Sequence, residues 1–96
     1  AHGLFDCVFV NELGQVTEGA RSSIFIKLNG EWLTPPLSCG LLPGIARAEL
    51  LADASFGARE CAFSVADVRA AERIILCNAL HRAEAEWVDP VFEFIQ

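Results

Sequence analysis

Asn29-Gly30 stands between two runs of strand-forming residues, Ile24-Phe25-Ile26-Lys27-Leu28 and Glu31-Trp32-Leu33-Thr34. A two-residue Asn-Gly connection supplies the positive φ angles of a tight hairpin turn whose twist matches that of its flanking strands. The chain is thereby committed to an antiparallel pair. By alternation, Ile24, Ile26 and Leu28 fall on one face of the first strand. Pro35-Pro36 ends the return strand, because neither residue has an N–H to give to a ladder.

The flanking segments extend this β pattern and add helices. Cys7-Val8-Phe9-Val10 reads as a buried strand. Asn11-Glu12-Leu13-Gly14 is a turn with Gly14 at positive φ, and Gln15-Val16-Thr17-Glu18 begins the strand that pairs back antiparallel. The small residues Gly19 to Ser23 interrupt the pattern. After a loop from Leu37 to Leu42, a helix is expected from about Gly44 to Ala52, with Ile45, Ala48 and Leu51 on its buried face. Ala54 to Gly57 connects it to a strand over Arg59 to Phe63. Ser64 is placed to cap a second helix, with Asp67 in the capping-box position; that helix runs to about Glu72, Val65 and Val68 inward. Arg73 to Leu80 is the longest apolar strand and is expected at the sheet centre. Glu84 to Val88 is a candidate further strand, and Val91 to Ile95 a sticky end that packs on something. The expectation is one α/β (α+β) domain over residues 1–96: a mixed, mostly antiparallel sheet with two main helices.

Composition narrows the function classes. The chain has 96 residues, of which 53% are hydrophobic. A domain of this size does not easily hide so much apolar surface, so it is expected to form a homodimer or to pack against a neighbouring domain. A net charge of −6 leaves no basic stripe for nucleic acid, although it permits one local phosphate site. The cysteines at 7, 39, 61 and 77 form no CxxC pair and fit no zinc spacing. They read as reduced thiols, three of them in apolar runs. With no signal peptide and no apolar run long enough for a bilayer, the cytoplasm is the expected compartment. His2 and His81 have no metal partner at useful spacing and read as surface residues. The chain has no Met and so reads as a segment of a longer protein. No Ser/His/Asp set or Walker loop is present.

Three places can carry chemistry. In Leu41-Leu42-Pro43-Gly44-Ile45-Ala46-Arg47 a loop becomes a helix: Pro43 suits a first turn, and Gly44 lets the backbone come close to a ligand. The amides of Ile45 and Ala46 then belong to the unpaired N–H groups of a helix start, where phosphate is the usual occupant. The same residues also suit an ordinary helix start. Glu18 is an acid at a strand end, a position where a solvated side chain is common. Asn78 is a polar residue near the end of an apolar strand, where it can equally satisfy a backbone group. A carboxylate, a helix N-terminus and a strand-end polar group are together what a pyridoxal 5′-phosphate pocket requires. The phosphate sits on helix amides, and the carboxylate keeps the ring nitrogen protonated.

At these residues a resemblance enters. Phe9 to Phe25, with Asn11, Gly14, Glu18 and Ser23-Ile24-Phe25, is similar to the central motif of fold-type IV pyridoxal-phosphate enzymes. This class contains branched-chain and D-amino acid aminotransferases and aminodeoxychorismate lyase. Thr34-Pro35-Pro36 and Gly40 to Arg47 continue the match, and Cys77-Asn78-Ala79-Leu80 is similar to the lyase rather than to the aminotransferases. The chain resembles in particular the lyase-like domain fused behind para-aminobenzoate synthase component I. The resemblance covers about Asp6 to His81. It implies that Glu18 pairs with the pyridine nitrogen and that the Ile45 and Ala46 amides, reached past Gly44, hold the phosphate. It also implies that Leu42 packs on a ring face and that Asn78 and Ala79 lie near phosphate or substrate. Ala79 has no hydroxyl for the phosphate contact of the aminotransferases, and Ser23 stands where the family usually has Asn.

The family links its cofactor covalently to a lysine upstream of the Glu. The one lysine here, Lys27, follows Glu18 and matches nothing catalytic. The family's small N-terminal domain has no counterpart either. The resemblance therefore implies a truncated cofactor-binding domain, inactive alone and without the pyridoxal 5′-phosphate of its parent, from a lyase that makes 4-aminobenzoate and pyruvate from 4-amino-4-deoxychorismate in folate synthesis. A class IV aminotransferase, and a non-catalytic interaction or dimerisation domain on the same scaffold, are the alternatives.

Overall fold

The computed structural model describes residues 5–19, 23–40, 44–77, 82–88 and 91–94; along 5–9, 18–19, 82–88 and 91–94 the description is of the backbone. The elements are β1 (Phe5–Val10), β2 (Val16–Gly19), β3 (Ser23–Leu28), β4 (Glu31–Thr34), a 3-10 turn (Leu37–Cys39), α1 (Ile45–Ala52), β5 (Arg59–Glu60), α2 (Val65–Ala70), β6 (Arg73–Cys77), β7 (Arg82–Val88) and β8 (Val91–Phe94). The strands lie in the order β2-β1-β8-β7-β6-β3-β4-β5. Among the described residues every ladder is antiparallel except β4 with β5. The mixed, mostly antiparallel sheet with two helices is as expected.

The Asn-Gly turn does what its chemistry requires. Asn29 and Gly30 take φ of 52° and 79°, and β3 pairs with β4 through Ile26 opposite Leu33 and Leu28 opposite Glu31. Gly14 likewise sits at φ 76° in the turn between β1 and β2, which pair antiparallel with a bulge between Phe9 and Val10.

β3 is covered on both faces. Ile24 and Ile26 are fully buried in a cluster with Val16, Leu33, Phe63, Val68, Ile74 and Leu76, against which Leu28 packs. Phe25 points the other way, into a second cluster with Trp32, Leu50, Ile75 and Cys77. Strand alternation thus sends adjacent side chains into two cores, one under α2 and one under α1. Phe56 ties the second core together, edge-on to Phe25 with ring centroids 5.7 Å apart and stacked on Trp32 at 4.8 Å. β6 lies between β3 and β7, central as expected. The sequence Val91 to Phe94 is paired on both sides, with β1 and β7.

Three expectations need correction. The helix over Ile45–Ala52 forms, but of the expected face Ile45, Ala48 and Leu51 only Leu51 docks. Ile45 is 75% exposed while Leu50 and Arg47 are buried, and Ala46 and Leu51 pack beside Leu50 on Phe25 and Trp32. The docked stripe is 46, 47, 50 and 51, one residue out of phase, and a helix turns about 100° per residue. The strand expected over Arg59 to Phe63 is only Arg59–Glu60. Its partner β4 runs into Pro35 directly after Thr34, whose carbonyl takes the Cys61 N–H at 2.9 Å, and proline cannot extend the ladder. The second helix ends at Ala70 rather than near Glu72, because the Glu72 N–H donates instead to the Lys27 carbonyl at 2.8 Å. At its start, Ser64 and Asp67 form the expected capping box. Cys39, Cys61 and Cys77 are reduced thiols, Cys39 and Cys77 buried.

Candidate functional site

The site is built around the first turn of α1. Gly44 is the N-cap, extended at φ −106° and ψ 146°, and its carbonyl accepts the first helical bond, from Ala48 N–H at 3.1 Å. Glycine has no side chain with which to cap, and no side chain takes the cap bond. The N–H groups of Ile45 and Ala46 therefore precede the first residue that can find a carbonyl within the helix. No acidic residue lies in that turn to occupy the positive end of the helix dipole. The Ile45 side chain faces outward while Ala46 packs on the core, so the turn has one open side and one anchored side.

Two further positions come to this turn. Ser23 opens β3, and a Cβ built on Gly44 would lie 3.5 Å from its Oγ. Ser23 in turn pairs with Cys77 at the end of β6. Positions 23, 44 and 77, remote in sequence, thus converge at one end of the central strands. Leu42, Asn78 and Ala79 lie outside the described residues. Glu18 stands in β2 opposite Phe9, beside β3; its side chain lies outside the described residues. Lys27 is at the other end of β3, opposite Trp32 and Arg73.

Sequence reasoning missed what holds the turn. Arg47 is 4% exposed. Its Nη2 donates to the Pro35 carbonyl at 2.9 Å and to Glu60 Oε2 at 2.5 Å. Its Nε is buried with no acceptor among the described residues. The one available signal was its place beside the apolar positions 46, 50 and 51, where a charged residue needs a partner. Asn11 was also missed. Its Oδ1 accepts the N–H groups of Leu13 and Gln15 at 2.9 and 3.1 Å. Its Nδ2 donates to Gln15 Oε1 at 2.9 Å and to the Cys39 carbonyl at 3.1 Å. One amide thereby shapes the turn that leads into Glu18 and fastens it to the loop that precedes α1.

The donor set of the turn, amides with no acceptor within their own helix at its positive end and a hydroxyl nearby, fits a phosphate group. Among the described residues no group of three or more His, Cys, Asp or Glu is placed to hold a metal ion, and no helix is long and apolar enough to cross a membrane.

The family model for amino-transferase class IV matches residues 1–83. The chain is 31% identical over 78 residues to a Schizosaccharomyces pombe protein described provisionally as an aminodeoxychorismate lyase, covering 80% of this chain and 34% of that one. In structure it is similar to a Legionella pneumophila protein described provisionally as a 4-amino-4-deoxychorismate lyase, with a TM-score of 0.79 and 26% identity over 95% of this chain and 36% of that one. It is also similar to the branched-chain aminotransferase of Thermoproteus uzoniensis, with a TM-score of 0.78 and 26% identity over 95% of this chain and 31% of that one. The chain spans about a third of the length of these proteins. Residues 1–83 fall within one family model, and the chain belongs to the class IV aminotransferase family.

Proposed function

We propose that this chain is the phosphate-holding part of a pyridoxal 5′-phosphate enzyme, and that the whole protein releases pyruvate and 4-aminobenzoate from 4-amino-4-deoxychorismate. The observation that carries the reading is the uncapped first turn of α1, held beside Ser23 at the end of the central strands. In this reading the Ile45 and Ala46 amides bind the phosphate, and Gly44 keeps the approach open. Glu18 holds a proton on the pyridine nitrogen. Leu42 packs on a ring face, and Asn78 and Ala79 border the phosphate or the substrate. When bound, the pyridoxal ring supplies an electron sink for negative charge at the substrate α-carbon. The negative charge of Glu18 favours the protonated ring nitrogen on which that sink depends. Removal of the α-proton falls to a lysine of the whole protein, since Lys27 stands at the far end of β3 from Ser23.

The lyase reading is supported by the identity to the Schizosaccharomyces pombe protein across most of this chain, and by alanine at position 79, which offers no hydroxyl. A class IV aminotransferase is the second reading, favoured by the likeness to the Thermoproteus uzoniensis enzyme. The deciding experiment gives the whole protein 4-amino-4-deoxychorismate and, separately, an amino acid with a 2-oxo acid. Pyruvate and 4-aminobenzoate in the first assay are expected. Amino transfer in the second, with nothing in the first, would establish the aminotransferase instead.

A further inference from the structure

We propose that Arg47 is a positioning residue. Clamped by Glu60 and the Pro35 carbonyl, it sets the direction of the Ile45 and Ala46 amides, and so how strongly the chain prefers a phosphorylated ligand over its unphosphorylated counterpart. The inference rests on the phosphate reading above.

Arg47 is poorly suited to stabilising its own helix. It is the third residue of α1, and a cation in the first turn opposes the helix dipole. Its guanidinium is taken almost wholly from water, a cost that an apolar side chain of similar size would avoid. What the residue supplies is geometry. Both of its acceptors come from one edge of the sheet: Pro35 directly follows β4, Glu60 lies in β5, and Thr34 pairs with Glu60 in the parallel ladder. The first turn is therefore fastened to strand ends rather than to a loop. A planar guanidinium holding two acceptors through one nitrogen restrains rotation better than a single contact does.

The rest of the turn does not supply that restraint. Ala46, Leu50 and Leu51 fix one side of the helix on Phe25 and Trp32, but apolar contacts are non-directional and tolerate some roll about the helix axis. Ile45 is exposed and belongs to neither buried cluster among the described residues. Gly44 has no side chain to stop that roll. The Arg47 clamp is what remains, one residue from the Ala46 amide and two from that of Ile45. Donors that must meet three phosphate oxygens lose much of their effect when tilted away.

The test uses the 96-residue chain and two probes that lack an aldehyde and so do not react with Lys27: pyridoxine 5′-phosphate and pyridoxine. Affinities are read from the amide NMR signals of Ile45 and Ala46, and thermal unfolding is followed in parallel. The unaltered chain is expected to prefer the phosphorylated probe. Glu60→Ala, at a half-exposed position, removes no core side chain but leaves the buried guanidinium without its counter-charge; it should melt earlier, still cooperatively, and lose about fivefold to tenfold of that preference, the scale of one weakened charge-assisted contact. Glu60→Gln keeps an acceptor oxygen and should recover most of it. A Glu60→Ala chain that melts earlier with its preference unchanged would overturn the positioning role and leave the phosphate reading standing. An unaltered chain with no preference between the probes would overturn both.

Discussion

The Ser23 hydroxyl faces the start of α1: it lies 3.5 Å from where a Cβ on Gly44 would stand. That is ordinary contact distance, so position 44 has room for a side chain, and its φ of −106° is open to any L-residue. Gly44→Asp should therefore separate folding from binding. A carboxylate at the N-cap would accept the first-turn amides and raise stability, by a few tenths of a kcal/mol relative to glycine. The same carboxylate would occupy and repel the site of a phosphate. A higher melting temperature with lost binding of pyridoxine 5′-phosphate is the expected pair of results; unchanged binding would place the phosphate elsewhere.

Phe25 tests the second core. Its ring is fully buried between β3 and α1, edge-on to Phe56. Phe25→Ala removes a large side chain from a buried cluster, at a cost of about 3–5 kcal/mol. Urea unfolding should show this as a large drop in midpoint, or as loss of the folded state, since a small domain has little stability in reserve.

The exposed ion pair Arg59–Glu31, at 2.6 Å, should contribute no pH dependence near neutrality. Its hydrogen bond and charge interaction with Glu31 hold the Arg59 guanidinium above its usual pKa. A cation with a raised folded pKa stabilises below its unfolded pKa and loses that contribution only as pH rises through the folded value. That window lies at the extreme alkaline end. Melting curves of Arg59→Gln and the unaltered chain should therefore run parallel from about pH 6 to pH 9. A divergence within that range would mean that another titrating group depends on Arg59.

Lys27 should not serve as the catalytic lysine. It lies at the end of β3 remote from Ser23, opposite Trp32 and Arg73. The 96-residue chain incubated with pyridoxal 5′-phosphate and then borohydride should carry no stoichiometric adduct on Lys27 by peptide mass analysis, and should release no pyruvate from 4-amino-4-deoxychorismate. A stable adduct there with turnover would move the chemistry to this end of the strand.

Local features were legible in the sequence where a few adjacent residues determine them. Asn29-Gly30 selects its turn by φ alone, Ser64 and Asp67 cap α2 within one turn of helix, and Pro43-Gly44 marks the start of α1. Features settled by distant partners were not. The docked face of α1 depends on Phe25, Trp32 and Phe56, so Ile45, the most apolar residue of its first turn, could be left outside. β5 stops short because its partner strand β4 is ended by Pro35. Arg47 finds Pro35 and Glu60, twelve and thirteen residues away in opposite directions; no spacing rule announces that pairing. The helix start of the site was therefore readable, whereas its neighbour Ser23 and its clamp required the fold.

The Glu72 tether gives the site a dependence on something remote from it. Glu72 donates its N–H to the Lys27 carbonyl, and its carboxylate takes the Gly30 N–H at 2.8 Å, so the hairpin tip is fastened where β6 begins. From there the β3–β6 ladder counts down pair by pair, from Lys27–Arg73 to Ser23–Cys77. A slip of one residue at the tether would turn every side chain of β3 to the opposite face, exchanging the two cores and swinging the Ser23 hydroxyl away from Gly44. The first turn of α1 thus keeps its companion by alignment set roughly 13 Å away along the strand. A substitution at Glu72 could silence the site without approaching it.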